Sequence, residues 1–315
     1  ENQTLVAYLF AHDAGGFGDA GTDNVISCGS YTGNGSADGP EIDLGWEPQW
    51  VMFRRVTGVE DWIMFDNMRG MVVGGIDPDL RPNRSQAEGA FVNYLEPNAT
   101  GFKLTDANSR TNENGDTYIY IAIRRGPMRA PESGTEVFAP IAVTNSAGSN
   151  NTTNFPVDLQ INSLRSAASK LAVDRLRGVS TTDTNIGSQL VTNNTNAEAG
   201  SGAGSITRNW SNTGFQTSDE YGSLSTIYWN FRRAPGFFDV VAYTGDGTTT
   251  TIPHNLQVVP ELIINKVRND GGTWRVHHVD FGYDYEIYLN GTTAMQGPGY
   301  GGNWGGANPT ATHLA

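Results

Sequence analysis

The chain has 315 residues, a formal net charge of −13, 39 Gly and 14 Pro. An acidic chain of this kind repels phosphate backbones, so nucleic acid is not an expected partner; no run approaches the roughly 20 apolar residues of a membrane span, so a membrane is not one either. Cys28 is the only cysteine, which excludes an intrachain disulfide and any cysteine-built zinc or iron–sulfur site, while the dense Gly and Pro punctuation points to all-β structure with tight turns.

In chain order, the first predicted element is the segment Thr4, Leu5, Val6, Ala7, Tyr8, Leu9, Phe10, uncharged and rich in β-branched and aromatic residues. It reads as a core strand with no partner before it. A Tyr-Thr-Gly turn follows at 31–35, then paired strands around Pro48 with alternating apolar positions, and Trp62. Next come an Asp-x-x-Arg-Gly turn at 66–70, a polar loop, Gly-Phe at 101–102, and an aromatic strand, TYIYIAIRRG, at 117–126. The Asp- and Asn-rich stretch 106–116 reads as a hairpin turn at 112–115 rather than a calcium loop, because no bidentate Glu follows its Gly.

The same landmarks recur. DRLRG at 174–178 repeats DNMRG at 66–70, and GFQT at 214–217 repeats GFKL at 101–104. TIYWNFRRAP at 226–235 repeats the closing aromatic strand. YTGDG at 243–247, VVPELIINKVR at 258–268 and Trp274 open a third round. The period is that of a domain rather than a solenoid turn. The expected organisation is an orphan closing strand at 1–12, repeats at 13–128 and 129–235, and a third, incomplete repeat at 236–315 that lacks its Gly-Phe segment and closing strand. The second repeat departs at 141–153, where the Tyr-Thr-Gly turn is missing, and at Lys170, which stands where the others have Trp. In the third, His278 and Phe281 replace Asp66 and Arg69.

The strand type missing from the third repeat is the one that stands alone at Thr4–Phe10. Three completions stay open: further repeats on a longer chain, closure by the chain's own N-terminal strand, or donation of that strand to the next subunit. A β domain short of a strand leaves an edge and an apolar groove to be filled.

Sites for chemistry are sparse. His278 and Asp280 share a face if HHVDFG at 277–282 is a strand, but no third metal ligand is in view, so no metal and no cofactor are expected. Asp61 and Asp66 fall on opposite faces of an extended stretch, which argues against a glycosidase pair. No nucleophile elbow, metalloprotease motif or phosphate loop occurs, and no enzyme activity is expected. Tyr300 and Trp304, in the Gly-rich stretch 297–306, are the candidates for stacking on a sugar or on a partner protein.

GSYTGNGSADGPEIDLGWEPQWVMFRR, WIMFDNMRG, GFKL and NENGDTYIYIAIRR together resemble repeats of structural proteins from tailed, especially marine, bacteriophages. PGFFDVVAYTGDGTTTTIPHNLQVVPELIINKVRNDGGTWRVHH, with TEVF at 135–138 and NAEA at 196–199, resembles further repeats of that kind. The resemblance implies tandem lectin-like or jelly-roll β-sandwiches in a tail-fibre, head-fibre or decoration protein, with no catalytic residues to carry over. It implies a place on a virion surface or outside the cell, and partners that are further copies of the chain, other virion proteins or a host-surface glycan. An extracellular filament subunit and a carbohydrate-binding module are the alternative expectations.

Overall fold

The structure is a computed structural model and describes residues 3–90, 92–144, 147–166, 170–179, 188–199, 207–218, 225–245, 251–297 and 308–314. Within them every strand pairing is antiparallel, and the helical content is two short 3₁₀ turns, Gly134–Glu136 and Val279–Phe281. The expected all-β sandwich architecture is what the chain adopts. Two compact units form, one of residues 1–69 with 76–128 and one of residues 70–75 with 129–315.

The first unit carries β1 (Ile26–Thr32), β2 (Glu41–Asp43), β3 (Pro48–Arg55), β4 (Ile63–Asp66), β5 (Pro78–Asp79), β6 (Gly89–Ala90), β7 (Leu95–Asn98), β8 (Gly101–Leu104) and β9 (Thr117–Arg124). One sheet runs β1-β9-β3-β4 and a second runs β2-β8-β7, so the closing strand β9 lies inside its sheet between β1 and β3. Alternation turns Val51, Phe53, Ile63 and Phe65 inward, all of them fully buried. Tyr31 stacks on Tyr118 at 5.0 Å, and Phe102 of the second sheet meets Tyr120 edge-on at 5.8 Å, joining the two layers.

The Tyr-Thr-Gly-Asn-Gly turn is held by a side chain far along the chain. Asn112, fully buried, accepts from the Asn34 amide at 2.8 Å and donates to the Ser36 and Asp106 carbonyls at 2.8 and 3.0 Å. The polar loop is therefore a built brace; it carries a turn, Asp116 N–H to Glu113 O at 3.2 Å, but not the expected hairpin, because β8 before it and β9 after it lie in different sheets.

The second unit carries β10 (Phe138–Val143), β11 (Asn150–Thr152), β12 (Leu159–Leu164), β13 (Lys170–Asp174), β14 (Leu190–Val191), β15 (Thr207–Ser211), β16 (Gly214–Thr217), β17 (Thr226–Phe231), β18 (Ile252–Pro253), β19 (Leu262–Asn265), β20 (Arg275–His278), β21 (Ile287–Tyr288) and β22 (His313–Leu314). Its first part repeats the plan: β10-β17-β12-β13-β14 faces β11-β16-β15, with β17 again inside its sheet. Phe155, Val157, Leu171, Val173 and Tyr228 from one layer pack with Trp210 and Phe215 from the other. Gln160, Asn162 and Asn230 stand in register where the first unit has Val51, Phe53 and Ala122. These amides are fully buried and bond to each other, Gln160 Nε2 to Asn230 Oδ1 at 2.7 Å.

The remaining part has the small sheets β19-β20-β21 and β18-β22. Three expectations are corrected here. The Gly-Phe segment of the third repeat is present in disguise: His254 N–H donates to Thr312 O at 2.8 Å, as Leu44 N–H does to Thr100 O and Thr153 N–H to Thr213 O, both at 2.7 Å. Thr312-His313-Leu314 thus takes the place of Thr-Gly-Phe, with Leu314 packed on Ile263 and Tyr283. His278 and Asp280 do not share a strand face, because β20 ends at His278 and the chain turns there, with His278 Nδ1 accepting the Asp280 amide at 3.2 Å. His277 is the buried one, its Nδ1–H directed at the Tyr283 and Tyr285 carbonyls at 3.1 and 2.9 Å.

Third, Thr4–Phe10 is not a core strand of this chain. It forms no strand among the described residues and is exposed throughout, Leu9 at 91%. Nothing local holds an apolar extended segment that has no neighbouring strand to bond to.

Candidate functional site

The residues that recur with chemistry are Asp, Arg and Glu. Asp66 Oδ1 accepts the amides of Met68 and Arg69 at 3.0 and 2.9 Å, and its Oδ2 accepts Arg69 Nε at 2.5 Å. The guanidinium then reaches Glu88 Oε2 at 3.1 Å and Met64 O at 3.2 Å. In the second repeat Asp174 Oδ1 accepts Arg177 N–H at 3.0 Å and Oδ2 accepts Arg177 Nε at 2.5 Å; Arg177 reaches Glu198 Oε2 at 2.9 Å and Ala172 O at 3.1 Å. The Asp closes its own turn, the Arg ties that turn to the preceding strand, and the Glu anchors a segment about twenty residues on. The turn was visible in the sequence; the Glu partner was not, although the recurrence of Ala-Glu at 87–88 and 197–198 was a signal for it.

In the second unit this clasp becomes a junction. Arg268, from the hairpin between β19 and β20, donates to Glu198 Oε2 and Oε1 at 3.0 and 3.1 Å and to Val73 O at 3.0 Å. Two backbone bonds run beside it, Glu198 N–H to Arg268 O and Gly272 N–H to Thr195 O, both 2.7 Å. Trp274, at the foot of the hairpin, packs on Ala172, Leu190 and Leu159 and donates from Nε1 to Val191 O at 3.0 Å. These are the outward residues of the β12-β13-β14 surface, so Trp274 caps the outer face of one repeat with the hairpin of the next. Burial pushes the Glu198 carboxyl up, but hydrogen bonds and charge from Arg268 and Arg177 outweigh it and hold it below its usual value. Burial opposes charge on Arg177 as well, yet Asp174 and Glu198 raise its affinity for its proton.

The third repeat has an open edge. In the first two, β3 and β12 sit between the closing strand and the next strand of the sheet. Among the described residues β19 pairs with β20 alone, and Leu262 and Ile264 on it are exposed. The site residues read from the sequence fall as follows. Thr4, Leu5, Val6, Ala7, Tyr8, Leu9 and Phe10 are solvent-exposed and pair with no strand among the described residues, while Tyr300 and Trp304 lie outside the described residues.

The carboxylates considered for glycoside hydrolysis are each tied to arginine: Asp61 accepts from Arg84 Nε at 2.7 Å, and Asp66 from Arg69. The described residues hold no cluster of three His, Cys, Asp or Glu that could take a metal ion, and no helix long and apolar enough to cross a membrane. The buried amides of Gln160, Asn162 and Asn230 are closed off from solvent and offer no ligand a way in.

The model of a family described as a domain of unknown function, DUF7483, matches residues 1–127 and 145–315. No curated protein and no solved structure matches the chain.

Proposed function

The chain belongs to the DUF7483 family, and from that premise we propose that it is a non-enzymatic structural protein of a virion appendage, fibre or decoration, built from β-sandwich repeats and assembling with further copies of itself. The strand Thr4–Phe10 of one copy enters the open edge of β19 in the next. The observation that carries this reading is a pair of exposed features: β19 has one sheet neighbour among the described residues, and the segment Thr4–Phe10, whose sequence resembles β9 and β17, is exposed.

The physical drive is ordinary. Full burial of Leu5 or Leu9 contributes about 1.5–3 kcal/mol each, and pairing satisfies a row of edge amides and carbonyls. Ordering the segment and joining two bodies offset much of that gain, so the contact stands or falls with register and fit. The resemblance to bacteriophage structural repeats supports this reading and implies a virion-surface location for the assembled protein.

The experiment is mass photometry and negative-stain imaging of the chain beside a variant lacking residues 1–11. Multimers that collapse to folded monomers on deletion are the expected result. Multimers of unchanged size after deletion overturn strand donation, and a full-length chain that stays monomeric at every concentration overturns the assembly reading.

A further inference from the structure

The face that carries the junction in the second repeat has an exposed counterpart in the third. By strand register, Leu159, Ala172 and Leu190, the seat of Trp274, correspond to Leu262, Val276 and Ile287 in the third repeat. Leu262 is 54% exposed, Ile287 39% and Ile264, paired with Val276 on the same face, 44%, while Val276 itself is buried at 7%. The third repeat therefore presents the kind of face that its own hairpin covers on the repeat before it.

A matching hairpin exists in the first repeat. From Gln49 to Trp62 the spacing equals that from Glu261 to Trp274, so Val56 stands in the place of Arg268, Val59 of Gly271, Glu60 of Gly272 and Trp62 of Trp274. Val59 is 100% exposed and Val56 is exposed; Trp62 is half-buried with the Arg54 guanidinium 5.8 Å from its ring centre.

The polar partners change together. The isolated bridges Gln189–Ala199 and Glu286–Gln296 put Met295 in register with Glu198. The Arg268–Glu198 pair of the existing junction thus becomes Val56 facing Met295, and Phe281 stands where Arg177 supported the Glu. An arginine opposite Met295, or a lone glutamate opposite Val56, would lose its counter-charge on desolvation. Val with Met loses nothing. The hairpin of the first repeat and the face of the third suit each other in the one place where the second-to-third junction is ionic.

We infer that the outer face of the third repeat, centred on Leu262, Ile264, Ile287 and Met295, is a docking surface for the hairpin of residues 56–62 of a second copy, with Trp62 seated as Trp274 is on the second repeat. The inference deepens the assembly reading and rests on it. In the second unit the closing strand β17 leads directly into the repeat whose hairpin caps the face; in the proposed contact Thr4–Phe10 leads into the repeat that carries Trp62. One joining geometry serves inside the chain and between chains, and head-to-tail repetition makes an open string.

Proximity trapping tests it on the full chain. Gly272 N–H lies 2.7 Å from Thr195 O, and a Cβ built at Gly271 lies 3.5 Å from the same oxygen; the corresponding residues are Val59 and Thr292. In a Cys28→Ser background, a Val59→Cys protein is mixed with a Thr292→Cys protein under mild oxidation. The expected product is a disulfide-linked heterodimer, and ladders form when both cysteines sit on one chain. Val59→Cys mixed with Ala37→Cys, an exposed site elsewhere, sets the background level. Trp62→Ala should weaken the association about thirtyfold, as removal of a central aromatic anchor does. Met295→Glu alone should cut trapping, and adding Val56→Arg should restore it by recreating the ionic version.

Trapping no better than background, with multimers still lost on deletion of residues 1–11, overturns this inference while the assembly reading stands. Trapping that survives the deletion supports the face contact even where strand donation fails.

Discussion

At the scale of single residues the protein is braced by polar side chains that a hydrophobic reading passes over. Asp174 and Arg177 are both buried, at 4% and 7% exposure, and the Asp66–Arg69 copy of the same clasp is half-exposed. Removing one member of a buried pair strands the other charge. Asp174→Asn or Arg177→Met should therefore cost the second unit about 3–5 kcal/mol, whereas Asp66→Asn in the wetter clasp should cost about 1 kcal/mol; calorimetry on the full chain reads both. A second prediction concerns two histidines. Burial pushes the His254 and His277 pKa values down from 6.5, against the opposing pull of Asp239 and Glu286 and of backbone carbonyls. His254 is fixed as a neutral tautomer, with Nδ1 accepting the Leu256 amide at 3.2 Å and Nε2 facing Thr310 O at 3.2 Å. With folded-state values below the unfolded ones, the unfolded chain binds more protons in that window. Their contribution to stability is complete above pH 6.5 and shrinks as pH falls below it. The melting temperature of the second unit should fall with acid through this range, and His277→Gln should flatten the slope; an unchanged slope in that variant would remove His277 from the account. The DxxRG turns were legible because their spacing is local. Their Glu partners were hidden because the contact spans about twenty residues, across a segment with no periodicity to follow.

At the scale of elements, strand type was easier to read than strand partner. The aromatic runs that became β9 and β17 announce themselves by alternation, and their Arg-Arg ends repeat. Thr-His-Leu at 312–314 did not, since neither Gly nor Phe is present and only the backbone bond from His254 to Thr312 O identifies it. HHVDFG misled for the opposite reason: its alternating pattern is continuous, but His278 caps a turn with its ring nitrogen and stops the strand. The segment Thr4–Phe10 carries a strand's composition without a strand's bonds, because composition fixes what a segment would bury and says nothing of what it meets. Its register in the proposed donation follows from the repeats. Trp50 faces Ile123, Val51 faces Ala122 and Met52 faces Ile121; carried over by sequence, Phe10 should face Leu262, Leu9 should face Ile263 and Tyr8 should face Ile264. A slip of one residue would turn Leu5 and Leu9 from the core side to solvent. Cysteines at Tyr8 and Ile264 on separate Cys28→Ser chains should therefore crosslink readily and those at Leu9 and Ile264 poorly. The reverse preference would show that the donated strand does not copy β9.

At the scale of the whole molecule, charge and assembly pull in opposite directions. A chain of net charge −13 repels its own copies, and that repulsion reaches about 10 Å at 0.1 M salt and about 3 Å at 1 M. The contacts proposed between chains are apolar: an uncharged strand at Thr4–Phe10, and Val56, Trp62, Leu262, Ile264 and Met295 in the docking face. Screening the repulsion costs such contacts nothing, so multimers should grow in number and length as salt is raised. The junction inside the second unit has the opposite character, with Arg268 and Glu198 joined by two bonds. Carrying that chemistry to the contact between copies, as Val56→Arg with Met295→Glu does, adds an attraction that salt weakens. The doubly substituted chain should therefore assemble as well as the parent at low salt and gain less from added salt. Sedimentation velocity across a salt series measures both slopes. A parent whose multimers dissolve with rising salt would mean that charged contacts hold the copies together, and would move the search for the interface away from the third repeat's apolar face.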